Sequence, residues 1–449
     1  RRNLPLLCYS PPPLLPYSPS TMPYQTPISP GYSWYEATTG ERPEYPALDG
    51  DRRADVVIIG GGFTGLSAAA HLARAGVDVA LIEAHRFGDG ASGRNGGQFG
   101  TGQRAWAEEL EAEYGFTRAK ALFDLAEEAK AHVLEFAAAN GIDMEYVPGQ
   151  MSVAHKPRYL KHYQAHAEIM ATRFGYPHIS FMDAKETAER LGSTCYYGGT
   201  RDMGTGHIHP MKLVVGTARV AAAAGAHLFE NTRSTGIASD GGKVLVSTPR
   251  GIITADKCLV AVNAYGGDLE PVSAAHVMPI GSFIGATVPL GEDSPVLPGG
   301  EAVDDSRFVV RYFRKTKDGR LLFGGREIYA VSDPKDIADQ IRRQIAEIYP
   351  ALKDVEITHG WGGYVGITMP RKPFVREVMP NVISAGGYSG HGVMLSNFVG
   401  KLYAETVSGN RDRLKLFEDI KIPAFPGGRR FRAPLLFLAL NWYALRDRI

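Results

Sequence analysis

Residues 55–84, DVVIIGGGFTGLSAAAHLARAGVDVALIEA, constrain the fold more than any other stretch of the chain. They read as strand, glycine turn, helix and second strand, with a carboxylate, Glu83, at the end. Gly60, Gly62 and Gly65 fall in the spacing G-x-G-x-x-G. Gly60 permits a tight turn off the strand, Gly62 lets a pyrophosphate approach the backbone, and Gly65 lets the helix pack closely on the sheet. The helix N-terminus offers N–H groups and a positive dipole end to phosphates. Glu83 is placed to accept hydrogen bonds from a ribose diol. Residues 55–59 are an apolar, β-rich run, 66–75 have helical periodicity, and Gly76 stops the helix. The pattern predicts a dinucleotide site; a glycine turn in an ordinary βα unit is the alternative.

At 449 residues the chain has room for two domains with substantial cores. A hydrophobic share of 44% with 22% charged residues is that of a soluble globular protein. A net charge of +1 gives no basic footprint for nucleic acid. Cys8, Cys195 and Cys258 are too few and too scattered for a disulfide framework or a zinc site. That suits a reducing cytoplasm, where we expect the protein. His207 and His209, in GHIHP, have no carboxylate or cysteine motif beside them, so no metal is expected. Residues 1–20 are rich in Pro, Leu and Ser and contain no acid. We read 1–31 as a disordered extension, its first part lying upstream of a start at Met22, with a Pro-rich ligand for another domain as the alternative. The apolar run 434–440 is too short to span a bilayer. The tail 426–449 is expected to form a helix docked on the fold, with peripheral membrane contact as the alternative.

Along the chain, 106–140 reads as long helix broken near Tyr114–Gly115. Residues 144–155 read as paired strands, 157–174 as helix, and 183–191 as a short helix capped by Asp183. Helix is expected again at 210–225, 333–349 and 393–407. Sheet is expected at 227–262, 277–290, 308–325 and 381–385, with hairpin turns at Asp240–Gly242 and Lys317–Gly319. The nucleotide-type unit is thus left and re-entered.

Two more glycine-rich loops sharpen the reading. The first, 88–98 (GDGASGRNGGQ), follows the strand that ends in Glu83. So many glycines mean backbone that bends sharply or presses against a ligand. A nicotinamide enzyme has no need of such a loop here, whereas a flavin lying along the sheet does, and Arg94 can face its diphosphate. The second, 385–393 (AGGYSGHGV), again joins a strand to a helix. Its N–H groups and dipole end would stabilise the negative charge of a reduced flavin, and His391 could add to it. Expected cofactor contacts are Gly60, Gly62, Phe63, Thr64 and Gly65 on the first turn, with Glu83 and Ala84 after the second strand. The first of the two further loops adds Ala91, Ser92, Arg94, Asn95, Gly96, Gly97 and Gln98. Ser234 and Asn263 come from the middle of the chain, and Gly387, Tyr388, Gly390, His391, Gly392 and Val393 from the last loop.

The combination DVVIIGGGFTGLSAA, GASGRNGGQ and GGYSGHG resembles the D-amino-acid-oxidase-type FAD flavoproteins, which include glycine and sarcosine oxidases. The lead-in YSWYEATTGERPEYPALDGD and the tail FPGGRRFRAPLLFLALNWYALRDRI resemble the gamma-glutamylputrescine oxidase branch, so that the likeness covers nearly all of 32–449. The resemblance implies an α/β fold: a Rossmann-like FAD-binding domain, discontinuous in sequence, with a second, β-rich α+β substrate-binding domain. The boundaries drawn on it place the FAD-binding domain at 32–140, 205–276 and 355–425, and the substrate domain at 141–204 and 277–354. It implies oxidation of a C–N bond in an amine to aldehyde and ammonia, in polyamine and putrescine degradation, with O₂ or another electron acceptor as the second partner. Members that bind flavin covalently do so through a late cysteine, and this chain has none after Cys258, so non-covalent FAD is expected. Related oxidases use a lysine over the flavin to activate O₂, on a strand matched to 277–290, which contains no Lys. Use of another acceptor is therefore left open.

For catalysis the candidates are His391, Tyr312 and Trp361. Trp361 and Tyr364, in GWGGYVG, could wall the flavin or cage an amine, or pack in the core. Arg311, Tyr312, Arg314 and Arg326 could hold a substrate carboxylate, with alternation putting Tyr312 and Arg314 on one face. Oxidation of a D-amino acid or N-methyl amino acid, and a flavin-binding interaction protein without turnover, are the competing functions.

Overall fold

A computed structural model describes residues 26–328 and 336–426, with side chains not described at 326–328. In chain order the strands are β1 (Arg52–Ile59), β2 (Val79–Ile82), β3 (Gln98–Phe99), β4 (Val147–Val153), β5 (Ile179–Met182), β6 (Gly199–His207), β7 (His227–Phe229), β8 (Gly236–Ser239) and β9 (Val244–Thr248). They continue as β10 (Gly251–Val260), β11 (Met278–Pro289), β12 (Ala302–Asp305), β13 (Tyr312–Lys315), β14 (Arg320–Ile328), β15 (Ile357–Ile367), β16 (Phe374–Met379) and β17 (Val382–Gly386).

Two sheets form. The first runs β16-β17-β10-β1-β2-β7, with β9 on β10 and β8 on β9. Its strands β17, β10, β1, β2 and β7 are mutually parallel. Both faces of β1 and β2 are covered, which is why they read as continuous apolar runs. Val56, Ile58, Val79 and Leu81 pack under helices that include Phe63–Arg74, Pro210–Ala223 and Gly392–Val407. Val57, Ile59, Ala80 and Ile82 pack on the other side with Val244 and Val246 of β9. A Cβ on Gly400 would lie 2.4 Å from the Thr64 carbonyl oxygen, so this glycine lets Gly392–Val407 lie directly on Phe63–Arg74. The second sheet runs β15-β11-β14-β13-β12-β4-β6-β3, with β5 on β6. Its pairings are antiparallel except that of β4 with β12.

Most local expectations hold. The long helix breaks where Gly115, at φ 79°, separates Ala107–Tyr114 from Phe116–Ala139. Asp183 caps Ala184–Leu191 by accepting from the Glu186 N–H. Other expectations need correction. Residues 144–155 hold one strand, β4, whose partners β6 and β12 lie about 50 and 150 residues further on; a hairpin within the segment is not formed. Residues 26–31, read as part of a disordered extension, are packed in. The Gly362 N–H donates to the Pro30 carbonyl at 2.9 Å, and Ser29 Oγ lies 3.2 Å from Tyr265 Oη. Strand β6 runs through the boundary drawn at 205, and β15 lies beyond the one at 355, yet both belong to the second sheet. Residues 1–25 and the tail from 427 onward fall outside the described residues, as does the helix expected in that tail. Among the described residues no helix is long and apolar enough to cross a membrane.

Candidate active site

The carboxyl ends of the parallel strands open into one cavity of about 1010 Å³. That is where open parallel sheets bind ligands. Gly60 follows β1, Glu83 follows β2, Thr232–Ser234 follow β7 and Asn263 follows β10, and all line it. Parallel pairing thus gathers segments that are two hundred residues apart.

The first turn is built by steric exclusion. Gly60 has φ 110° and its N–H donates to the Ile82 carbonyl at 2.9 Å. A Cβ on Gly65 would lie 2.0 Å from the Gly60 carbonyl oxygen, so helix and turn touch only because that position is glycine. Gly62 leaves room for Ser92: its Cβ would lie 2.7 Å from Ser92 Oγ, which accepts the Phe63 N–H at 2.9 Å. The helix Phe63–Arg74 has no side-chain cap of its own, so Ser92 serves its first turn. Glu83 is held through both oxygens: Oε2 accepts the Gly61 N–H at 2.8 Å and Oε1 the His85 N–H at 3.0 Å. Burial pushes its carboxyl upward, and these N–H groups pull it back. Each oxygen keeps a lone pair for a hydroxyl.

The second glycine loop folds on Asn95, whose amide donates to the Ala91 and Ser92 carbonyls and whose Oδ1 accepts the Gly97 N–H at 2.8 Å. Ala84, Ala91, Gly96 and Gln98 line the cavity, whereas Gly97 and Gly65 shape it from behind. Asn263, at φ 47°, accepts the Gly387 N–H at 2.8 Å and so joins β10 to the third loop. Tyr388 Oη lies 3.0 Å from Thr64 Oγ1, joining the third loop to the first. Gly390, Gly392 and Val393 bring the N-terminus of Gly392–Val407 to the cavity wall.

Four expected roles are corrected. The Arg94 guanidinium does not face a phosphate: it donates to the carbonyls of Gly362 at 2.6 Å, Pro30 at 2.7 Å and Gly31 at 2.8 Å, tying the second loop to β15 and the N-terminal segment. His391 adds no positive charge. Its Nε2–H donates to the carbonyls of Thr101 and Gly102, and burial lowers its pKa to about 4, so the imidazole is neutral at pH 7. Trp361 is core rather than an aromatic wall: it is fully buried, it packs edge-on against Tyr35, and its Nε1–H donates to the Arg94 carbonyl at 3.0 Å. Arg314 and Tyr312 do not act together on a carboxylate. Arg314 is buried, donating to the Gly96 and Ile208 carbonyls and to Tyr35 Oη. Tyr312 does line the cavity, with its ring over Gly324 and its Oη 3.1 Å from Ser282 Oγ. Arg311 is committed elsewhere, to Glu347.

His207 and His209 are also structural. His207 donates to the Gly300 carbonyl at 2.9 Å, and His209 Nδ1 caps the helix Pro210–Ala223 by accepting the Lys212 N–H. Burial and the neighbouring Arg314 hold both near pKa 3. Among the described residues no group of His, Cys, Asp and Glu could hold a metal ion.

The residues that sequence reasoning missed line the far part of the cavity: Arg104, Trp106, Tyr163 and His166 on the helical side, and Gln150, Ser152, Asp202 and Asp304 on the second sheet. The alternation of Gln150 and Ser152 with buried Met151 and Val153 was a usable signal. What it lacked was the register that puts Asp304 opposite Ser152.

The cavity fits a flavin dinucleotide. Two glycine-led helix N-termini suit the phosphates and the electron-accepting ring, a doubly held carboxylate suits a ribose, and no Cβ intrudes at the turns between them.

Comparison with known proteins agrees. The model of the DAO family, described as FAD dependent oxidoreductase, matches residues 55–406. "Probable oxidoreductase OrdL" of Rhizobium meliloti is 65% identical over 427 residues, covering 95% of this chain and 100% of that protein. The gamma-glutamylputrescine oxidoreductase of Escherichia coli is 35% identical over 420 residues, covering 93% and 98%. Among solved structures, glycine oxidase from Geobacillus kaustophilus superposes with a TM-score of 0.67 at 23% identity, covering 80% of this chain and 95% of that one. L-Proline dehydrogenase from P. horikoshii gives 0.68 at 21%, covering 87% and 99%.

Proposed function

Because this chain belongs to the DAO family of FAD dependent oxidoreductases, we propose that it oxidises the C–N bond of a primary amine of the gamma-glutamylputrescine type. When bound, FAD supplies the two-electron acceptor that turns the amine and its neighbouring C–H into an imine, which water hydrolyses to aldehyde and ammonia.

The observation that carries the amine reading is the chemistry of the second sheet. Its strands present Ser282, Tyr312, Asp304, Ser152, Gln150, Thr200 and Asp202 to the cavity, and no lysine or arginine among the described residues. A cationic amine meets acceptors there; the arginines of the cavity, among them Arg104 and Arg307, lie outside these strands. The arginine expected on this floor, Arg314, is turned away into the core.

The chain's own residues then have separable tasks. Glu83 and the N-terminus of Phe63–Arg74 would hold the nucleotide. The N-terminus of Gly392–Val407 turns a positive dipole end to the cavity. Neutral His391 fixes the strand-to-helix turn against the Thr101 and Gly102 carbonyls. Ile28, Ile284, Val365 and Ile367 give the cavity its apolar part and exclude water. The gamma-glutamyl specificity is supported by the 35% relative, and the oxidation of amines and amino acids by the family as a whole.

Turnover of gamma-glutamylputrescine with O₂ and, separately, with a dye acceptor tests the reading. Equal amounts of aldehyde and ammonia are expected, and peroxide reports whether O₂ serves. Product from D-amino acids or sarcosine, with none from the gamma-glutamyl amine, would overturn it.

A further inference from the structure

We infer that Asp304 binds a second ammonium group on the substrate, remote from the amine that is oxidised. This rests on the amine-oxidation reading above and specifies the substrate class for the same cavity: an amine bearing another cationic nitrogen.

Asp304 sits on β12, directly opposite Tyr312 of β13 and Ser152 of β4. Residues directly opposite share a face, and all three line the cavity. The carboxylate accepts from Gln150 Nε2 at 2.6 Å and from the Ser152 hydroxyl. Both donors are neutral, and no ion pair reaches Asp304 among the described residues. Asp202, on the same cavity, is likewise held by neutral donors, the Tyr176 hydroxyl and the Gly204 N–H, whereas other buried acids have charged or backbone partners. Asp305 is paired with Arg307, and Glu301 with Arg201. Glu83 is held by backbone N–H groups.

A carboxylate withdrawn from bulk water with no ion pair of its own is costly, and such a group in a cleft marks a binding position. Burial raises the Asp304 carboxyl, and nearby Arg104 counters this, favouring the anion. A second acceptor stands beside it: Gln150 Oε1 is buried with no hydrogen-bond donor. An ammonium carries three N–H donors, enough for the carboxylate and for an amide oxygen turned towards it.

That ammonium is not the reacting one. The oxidised amine must shed its proton before it can give up hydride, and a carboxylate at its side would hold the proton on. Position agrees. The third glycine loop docks on β15, where the Ser389 N–H donates to the Gly366 carbonyl at 2.9 Å. Asp304 lies four strand positions away across β11, β14 and β13, about 19 Å at ~4.8 Å per strand. The separation is far longer than a compact amino acid, so a group held by Asp304 lies away from the reacting end of the substrate.

The test compares gamma-glutamylputrescine with glutarylputrescine, which differs only by lacking the remote ammonium. Charge-assisted hydrogen bonds of this kind predict a preference of about 10- to 100-fold in kcat/KM for the former. In Asp304→Asn, which keeps the acceptor for Gln150 but not the charge, the two substrates should react alike. Binding of the unreactive gamma-glutamylbutylamine, measured calorimetrically, should weaken in the same variant by the same factor. Equal rates with both substrates in the wild-type holoenzyme would overturn the inference while leaving amine oxidation intact. Reaction with neither substrate would instead overturn the functional reading. The wild-type comparison decides even if the variant fails to fold.

Discussion

Glu83→Gln is the sharpest probe of the cofactor site. Glu83 holds two backbone N–H groups at once, that of Gly61 through Oε2 and that of His85 through Oε1. An amide has one oxygen, so whichever way the substituted side chain turns, one N–H loses its acceptor and faces an NH₂. Hydrogen bonds to a charged group are each worth about 1.5–3 kcal/mol. That loss falls on the turn itself; FAD affinity falls because a ribose hydroxyl then meets a neutral amide in place of the carboxylate, and losing one such charge-assisted bond raises Kd by about 10- to 100-fold. Part of the loss will appear in the apoprotein too, because the Gly61 turn is held by the same carboxylate. Fluorescence titration of apoprotein with FAD gives the Kd, and thermal melts of apo and holo forms apportion the loss. An unchanged Kd would refute the assignment of Glu83 to the cofactor. A drop in apo stability alone would make Glu83 merely a clamp on the turn.

Other outcomes follow from the same geometry. Gly65→Ala puts a Cβ 2.0 Å from the Gly60 carbonyl oxygen; the purified variant should be colourless and melt lower, and a yellow protein of normal stability would contradict the close approach. Acid precipitation of the wild type should leave FAD in the supernatant, since neither Cys195 nor Cys258 lines the cavity; colour retained in the pellet would show a covalent link. His207 and His209 are held near pKa 3 in the fold against about 6.5 when unfolded. Below pH 6.5 the unfolded chain therefore binds the protons, and stability should fall by about 2 kcal/mol per histidine between pH 7 and 5. Melting temperatures that stay flat over that range would show that these histidines are not held neutral.

What could be read from the sequence was whatever local sterics decide. Three glycines with distinct steric duties marked the first turn, Gly115 marked the helix break, and Asp183 the cap, because each acts within a few residues. Side-chain direction across long separations was not legible. Arg94 looked like a phosphate ligand, yet carbonyls from residues 30, 31 and 362 capture it first. Arg314 shares strand parity with Tyr312, but a cleft between β6 and the second loop takes its guanidinium. Trp361 shares parity with the cavity-facing Gly363, and Tyr35 covers it. Asp304 drew no attention because an acid in a DD pair reads as surface until register sets it opposite Ser152 and Tyr312.

Amine oxidation is the central claim, and anaerobic stopped-flow of the holoenzyme tests it most directly. Gamma-glutamylputrescine should bleach the flavin absorbance faster than putrescine, and far faster than D-alanine, sarcosine or glycine. The rate should rise with pH towards the pKa of the amine, because the neutral form reacts. Faster bleaching by a D-amino acid or sarcosine, or a flavin that chemical reductants bleach but no amine does, would contradict it.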